Sequence, residues 1–416
     1  MTDMLTRSAV DHPPSTGVRR ILKHPALMHH NRLAAGVWAV NLVLLATVPL
    51  NPGTLSYLAL GNVALAVLIR QQYVINLLFR LATSAPTTWP LRVRWTLAKV
   101  YHFGGLHVGG ATAATAWFLG FVVAATLDPL PVAQLAVCYT LLVLLVGVVA
   151  TALPWFRGRF HDAFEKTHRF GGWAALCLLW TQTLLAGDRP AMVVLSVLTA
   201  SIASPWLRLR RVSVHIDRPS SHVALVRFDH GVTPFAGSST AVSRRPLLEW
   251  HSFANIPEPG RSGFRLTISR AGDWTGRFID DAPETVWVKG IPTAGVANIE
   301  TLFTRVVYVA TGSGIGPCLP HLLAQKVPAL LVWATRDPRK TYGDRLVDDI
   351  LAVQPDAWIW DTGDRGKPDM VRMALDACRE FDAEAVICIS NRKLTWQVVR
   401  GVEERGIPAY GAIWDS

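Results

Sequence analysis

Ala310-Thr311-Gly312-Ser313-Gly314-Ile315-Gly316-Pro317 follows a run of strand-forming residues, Val306 to Ala310, and leads into a segment of helical spacing that ends near Gln325. Glycines between a strand and a helix let the backbone curl tightly and approach a pyrophosphate, whose charge is favoured by the free N–H groups of the helix start. The alternation continues downstream. Ala329–Ala334 leads to a helix through Ile350, Trp358–Trp360 to a helix near Met370–Arg379, and Ala385–Ile389 to a helix near Leu394–Arg405, before a last strand at Pro408–Ile413. Five strands joined by helices predict a parallel, doubly wound α/β sheet over residues 303–416, with its ligand beyond the carboxyl ends of the strands. Thr311, Gly312, Ser313, Gly314, Gly316 and Pro317 are then the expected phosphate contacts, a purely structural turn being the competing reading. After the second strand, Arg336, Arg339 and Lys340 stand where an adenosine 2′-phosphate would lie, which prefers NADPH to NADH. A solvated cationic loop is the alternative.

Upstream, over 207–302, the pattern is strict alternation: Val212-Ser213-Val214-His215-Ile216, Val223 to Phe228, Phe264 to Ile268 and Val286-Trp287-Val288. These read as short strands of a β-sheet or β-barrel. Gly231 to Pro246, rich in glycine, serine and proline, reads as a loop or as a hairpin covering a cofactor.

Still further upstream the chain changes solvent. Half of the 416 residues are hydrophobic, the formal charge is +11 and there are sixteen tryptophans, yet nearly all long uncharged runs precede Pro205. A bilayer core of ~30 Å needs about 20 apolar residues per helix, and such runs lie near 33–50, 56–79, 104–127, 132–153 and 169–187, with a shorter one at 190–206. Cations gather in alternate connections: Arg80, Arg92, Arg94 and Lys99, then Arg157, Arg159, Lys166 and Arg169, then Arg208, Arg210 and Arg211. The positive-inside rule thus predicts a membrane helical bundle of six spans over residues 30–206, with both termini cytoplasmic. Topology and anionic lipid account for the net charge, so no nucleic-acid partner is expected. Residues 1–29 read as a cytoplasmic tail, since Met1 to Pro25 has no apolar stretch before a cleavage site. Five cysteines without CxxC spacing suggest neither a disulfide framework nor a zinc site.

Two segments enter the bundle alike: Tyr101-His102-Phe103-Gly104-Gly105 and His168-Arg169-Phe170-Gly171-Gly172. Imidazole is a common ligand of b-type heme iron, and glycine lets a flat macrocycle approach a helix, so His102 and His168 are the candidate metal ligands. The competing reading makes the histidines interfacial and the glycines, with Gly109 and Gly110, packing residues. His161 shares the face of His168 and is the better substitute; His107, rotated ~140° from His102, is the weaker one.

With Glu249-Trp250-His251-Ser252-Phe253-Ala254 and Ala271-Gly272-Asp273-Trp274-Thr275 added to the glycine turn, residues 30–416 resemble the ferric reductase and NADPH oxidase superfamily. They resemble more closely the integral membrane flavoproteins fused to adenylation-domain proteins. The resemblance implies that six spans bind heme, and that a ferredoxin-reductase-type module holds FAD and NADPH. It implies that His251, Ser252 and Phe253 line the flavin, and that Gly272, Trp274 and Thr275 support its phosphates. On their own, His251 reads as an exposed strand residue and Trp274 as a core aromatic. Three departures stand out. Ala254 replaces an expected hydroxyl residue, Gly290-Ile291-Pro292 keeps only part of a glycine turn, and Cys388 lies two positions before the place of a nicotinamide-side cysteine. Trp414 reads as a flavin shield or as the end of the last strand. Thr115 and Thr181 occupy the places of the second heme ligands, which leaves at most one heme b, near the cytoplasmic leaflet. The expected activity is electron transfer from NAD(P)H through FAD to an acceptor in the inner leaflet or lipid, such as a quinone, the cofactors doing the chemistry. A heme-free membrane flavoprotein reductase and a catalytically inert redox or nucleotide sensor are the alternatives.

Overall fold

The computed structural model describes residues 27–411, so the expected tail up to residue 26, and Ile413 and Trp414, lie outside the described residues. The first half is helical: α1 (His29–Thr47), α2 (Pro52–Leu68), α3 (Gln72–Thr83), α4 (Leu91–Leu97), a 3-10 turn (Ala98–Phe103), α5 (Gly104–Leu127), α6 (Val132–Thr151), α7 (Pro154–Arg159), α8 (His161–Ala186) and α9 (Arg189–Leu207). Local chemistry sets the breaks. The Asn51 side chain accepts from Thr54 N–H ahead of Pro52, and Asp188 accepts from Ala191 N–H ahead of α9, both satisfying orphan donors of a first turn. Gly187, at φ 68°, takes the left-handed turn that ends α8.

Three stretches are long and apolar enough to cross a bilayer: Leu91–Leu127, Val132–Thr151 and Arg189–Leu207. A fourth qualifies only if α2 and α3, bent by 74°, count as one span. The six expected spans are therefore not all met. The charges that spoil α8 lie in its first turns, Asp162, Glu165, Lys166 and Arg169, and the start of α1 holds His29, His30 and Arg32.

The chain next builds an antiparallel sheet from β1 (Leu209–Asp217), β2 (Val223–Phe228), β3 (Ser238–Ser243), β4 (His251–Ala254), β5 (Phe264–Ser269), β6 (Thr285–Lys289) and β7 (Thr293–Ala294). The order is β4-β3-β6-β1-β2-β5, with β7 on β3. Ile256, just past β4, and Arg265 of β5 exchange both backbone hydrogen bonds at 2.9 Å, which brings the two ends of the sheet together into a barrel. The stretch read as a loop or covering hairpin, Gly231 to Pro246, contains β3, an inner strand paired with β4, β6 and β7. Its small residues hid it, because Ser238, Thr240 and Val242 point inward and Ser243 is buried too. Helix α10 (Asp273–Asp281) plugs the barrel with Trp274, Phe278 and Ile279 against Val226, Phe264 and Val286.

A 3-10 linker (Val296–Leu302) leads to a five-stranded parallel sheet. Its elements are β8 (Val306–Thr311), α11 (Ile315–Ala324), β9 (Ala329–Thr335), α12 (Pro338–Tyr342), α13 (Asp344–Val353), β10 (Trp358–Asp361), α14 (Thr362–Arg365), α15 (Met370–Phe381), β11 (Ala385–Ile389), α16 (Arg392–Glu404) and β12 (Ala409–Tyr410). The order β10-β9-β8-β11-β12 puts the first strand in the middle, with the chain winding to one edge and then to the other. The strand order reverses between β8 and β11, and a crevice opens there at the carboxyl ends. Val306 to Ala310 are completely buried, as a strand covered on both faces requires.

The helical half is welded to this sheet. Arg94 on α4, expected among the cations of a cytoplasmic-side connection, is buried and forks onto Glu384 at 2.8 and 3.0 Å while donating to the Leu302 carbonyl at 2.8 Å. Trp95 donates to Glu403 at 3.2 Å, and Tyr410 donates from its hydroxyl to the Trp95 carbonyl at 3.2 Å. Asn76 of α3 pairs with the Pro292 carbonyl and Ala294 N–H at 3.0 and 2.9 Å.

Candidate functional site

Strand β8 ends at Thr311, and the chain turns through Gly312 at φ 50°, a left-handed conformation that favours glycine. Trp333 of β9, fully buried, donates its indole N–H to the Gly312 carbonyl at 3.0 Å and pins the turn from below. A Cβ on Gly314 would drive into the Ile389 carbonyl oxygen of β11, so this position admits no side chain. Thr311 and Ser390 hydrogen-bond hydroxyl to hydroxyl across the gap between β8 and β11, and Ser390 N–H donates to Thr395 at 3.1 Å. The crevice floor thus carries a pair of hydroxyls. Cys388 is buried beneath it, and burial pushes its thiol up to about 12, so it is an inert core residue, as its offset position suggested. Gly316, at the start of α11, lies 3.6 Å by its would-be Cβ from Thr267 of β5, and α11 also packs on β4. The glycine turn and the barrel strand therefore meet at one crevice.

On β4, Ser252 is exposed while His251 and Phe253 are half-buried. The His251 ring stacks on Trp274 at 4.1 Å, and Trp274 stacks on Phe278 at 5.0 Å. Trp274 is thus a core aromatic, as its residue-level reading had it, and it fixes the histidine. Burial lowers the pKa of His251, opposed by the nearby carboxylates Glu165, Glu249 and Asp162. At the start of α10, Thr275 accepts from Ala271 and Gly272 N–H at 2.9 and 3.1 Å. A side chain at Gly272 would meet nothing, so the helix start is open to an anion, although Asp273 brings a carboxylate into the same turn. These residues fit a flavin nucleotide: an aromatic wall, an exposed hydroxyl at Ser252 and an open helix N-terminus beside the barrel. The buried indole N–H of Trp274 has no partner in the described residues, a donor left over in that wall.

Of the three cations after β9, Arg339 is held by Asp344 and Asp348 at 3.0 and 2.8 Å. Arg336 projects with its side chain 82% accessible, 3.5 Å from the carboxylate of the neighbouring Asp337, and Lys340 is exposed. Asp361, at the end of β10, accepts from Asp337 N–H at 2.9 Å and Gly363 N–H at 2.7 Å, which shapes the loop beneath Arg336. Sequence reading missed the Thr311–Ser390 pair, the Trp333 prop and a buried cluster behind α11. There Glu300 accepts from the Tyr308 hydroxyl at 2.7 Å and meets His321 Nδ1 at 2.6 Å. No local signal marks these, because their partners lie at sequence separations from eight to seventy-nine residues.

His102 and His168, paired as ligands by sequence reading, have different ring neighbours, and the Nδ1 of each is buried without a partner among the described residues. The His102 ring lies against Tyr101 at 4.1 Å and His29 at 5.7 Å, whereas His168 faces His107 at 5.9 Å, the residue ranked lower by helical rotation. The 3-10 turn before α5 explains the difference, since it breaks the regular 3.6-residue periodicity between residues 102 and 107. Four of the glycines are taken up by close helix packing, while Gly172 faces open space. A Cβ on Gly105 would strike the His30 carbonyl, one on Gly109 would lie 2.8 Å from Val37, one on Gly110 3.0 Å from the Asn62 carbonyl and one on Gly171 2.7 Å from Val148. They let helices approach one another. Among the described residues, no group of three or more histidine, cysteine or acidic side chains could hold a metal ion.

Residues 296–416 match the family described as adenylate-forming reductase 03009, C-terminal domain. The chain is 43% identical to adenylate-forming reductase 03009 of Coprinopsis cinerea, over 98% of this chain and 42% of that protein. It is 42% identical to adenylate-forming reductase 06235 of the same fungus, over 95% of this chain and 41% of that one. The chain spans about two fifths of the length of these curated relatives. The expected kinship with flavoproteins fused to adenylation-domain proteins agrees with this; the wider likeness to ferric reductases and NADPH oxidases gains nothing from it. Among solved structures, a ferredoxin NADP+ reductase from Neisseria gonorrhoeae with bound FAD and NADP aligns with 49% of this chain and 98% of its own, at 12% identity and TM-score 0.40. One from Plasmodium falciparum aligns with 50% and 96%, at 10% identity and TM-score 0.39.

Proposed function

We propose that the chain is the electron-transfer part of a membrane-bound NADPH-dependent flavin reductase. One observation carries this: at the switch point of a parallel sheet, the glycine turn meets β5 of the barrel, and the helix it opens, α11, packs on β4, which bears His251, Ser252 and Phe253. FAD held there would supply hydride acceptance from NADPH and single-electron release. The protein's share is positioning. Gly312 to Gly316 cradle the pyrophosphate, Arg336 holds the 2′-phosphate, the Thr311 and Ser390 hydroxyls face the nicotinamide end, and the His251–Trp274 stack shapes the flavin wall. With Ala254 lacking a hydroxyl, backbone N–H groups of β4 serve the flavin edge.

The membrane setting is part of the proposal. Leu127, Val132 and Val143 are 82%, 84% and 73% exposed on helices of spanning length, surface that water would penalise and lipid would not. The reductase half then lies on the cytoplasmic side, beside the cation-rich helix ends. The acceptor is an apolar redox molecule of the inner leaflet, such as a quinone, in a heme-free version of the reductase. The name of the relatives, adenylate-forming reductase, favours a second reading, in which the acceptor is a carboxyl group activated by an adenylate-forming module.

The test is the absorbance of detergent-purified full chain, before and after NADPH under argon. A flavin band that bleaches supports the reductase. Flavin that NADPH leaves oxidised would instead mark a sensor, a Soret band would overturn the heme-free reading, and neither chromophore would remove the enzyme. Faster NADPH oxidation with a soluble quinone than with an acyl adenylate selects the first acceptor.

A further inference from the structure

Between β3 and β4 the chain runs through Arg244-Arg245-Pro246-Leu247-Leu248-Glu249-Trp250, and Leu247 and Leu248 stand 60% and 43% exposed. Two contacts fix the height of this segment on the molecule. Arg169, the last charged residue before the apolar body of α8, donates to the Leu247 carbonyl at 3.1 Å. Trp250 packs edge-on at 6.1 Å against Trp206, next to last in α9, and Trp206 meets Trp173 of α8 at 5.2 Å. Lys289 of β6 lies between the two indoles, 4.5 Å from the Trp250 centroid and 4.9 Å from that of Trp206. The segment therefore sits where two apolar helices cease to be apolar, the depth at which tryptophan and arginine concentrate in membrane proteins. Leu207 is 84% exposed at the same level, and Arg208 and Arg245 are exposed beside these leucines.

We infer that residues 245–248 anchor the barrel to the membrane surface, Leu247 and Leu248 entering the headgroup layer while Arg208 and Arg245 meet anionic lipid. Paired leucines flanked by arginine suit such an interface, because the side chains leave water without burying charge. His251 follows Trp250 directly, so the anchor fixes the flavin-lining strand at the bilayer surface, which shortens the path to a lipid-borne acceptor. The inference rests on the membrane reading above.

An environment-sensitive fluorophore on Leu248→Cys, in full chain reconstituted into phosphatidylcholine–phosphatidylserine vesicles, tests it. The same label on Lys367→Cys, by the β10 edge of the sheet, is the control, and labelled wild type corrects for Cys177. The expected result is several-fold stronger quenching by lipid-borne nitroxide at 248 than at 367, weakened by Arg245→Glu and by omitting phosphatidylserine. Equal quenching at both positions, in chain that resists alkaline extraction, overturns the anchor and spares the membrane reading. Quenching at 248 indifferent to both charge changes overturns the anionic-lipid contact. Chain stripped from the vesicles by alkali overturns both readings.

Discussion

Arg336 and Gly314 test the nucleotide site from opposite directions. Arg336 is exposed and lightly engaged, so its removal should affect only a ligand that reaches it. A charge-assisted hydrogen bond contributes ~1.5 kcal/mol or somewhat more, so Arg336→Ala should raise KM for NADPH about ten-fold and leave NADH nearly unchanged. Equal effects on both nucleotides would remove the 2′-phosphate assignment. Gly314→Ala forces a methyl into the Ile389 carbonyl, an overpacking that costs ~1–3 kcal/mol and moves β8 away from β11. Calorimetric titration should register weakened nucleotide binding together with a lower thermal midpoint. Lys289 offers a pH test. Burial first, and then Arg169, lowers its ammonium from 10.5 to about 8. The folded state loses this proton before the unfolded one does, so stability should rise as pH climbs from about 8 toward 10.5. Lys289→Arg keeps its charge there, and the thermal midpoint of the natural protein should gain on that variant across the same window; a constant gap would contradict the burial.

At the scale of elements, α4 is the joint between the halves. Arg94 gives three hydrogen bonds to Glu384 and Leu302, and this pairing holds the Glu384 carboxyl below its usual range. Because the folded pKa is depressed, that contribution is present above the ordinary carboxylate pKa and is lost as pH falls through the folded value. Arg94→Ala leaves the partly buried Glu384 without its cation, with the Thr304 N–H still donating to it, and should cost ~3 kcal/mol, read as a fall in denaturation midpoint. Within the bundle, Asn41 and Asn62 exchange amide hydrogen bonds at 2.8 and 3.1 Å while Trp117 donates to Asn41 at 2.7 Å, binding α1, α2 and α5 together. In the membrane setting proposed above such a contact contributes ~1 kcal/mol, so Asn62→Leu should loosen the bundle by about that much and leave flavin reduction by NADPH intact.

Across the whole molecule, the two halves share one core. Ile75, Phe79 and Ala98 from the helical half cluster with Val306, Tyr308 and Tyr410 of the parallel sheet. A fragment starting at residue 208 would expose that face to water, so it should express poorly or bind a hydrophobic dye strongly. A soluble, fully flavinated fragment would contradict the shared core.

The sequence by itself determined the order of parts: an apolar helical segment, an alternating β segment, and a βα series whose glycine turn ends its central strand. These are local properties, since periodicity of 2.0 or 3.6 and a strand–glycine–helix junction are written in neighbouring residues. Only the tertiary structure decided the rest. It made Gly231 to Pro246 an inner strand, because pairing with β4 and β6 outweighs weak strand propensity. It turned Arg94 from a connection cation into a buried joint, paired Thr311 with Ser390, and set His107 rather than His102 opposite His168. Each of these depends on which distant residue arrives alongside, and a chain read one window at a time carries no record of that meeting.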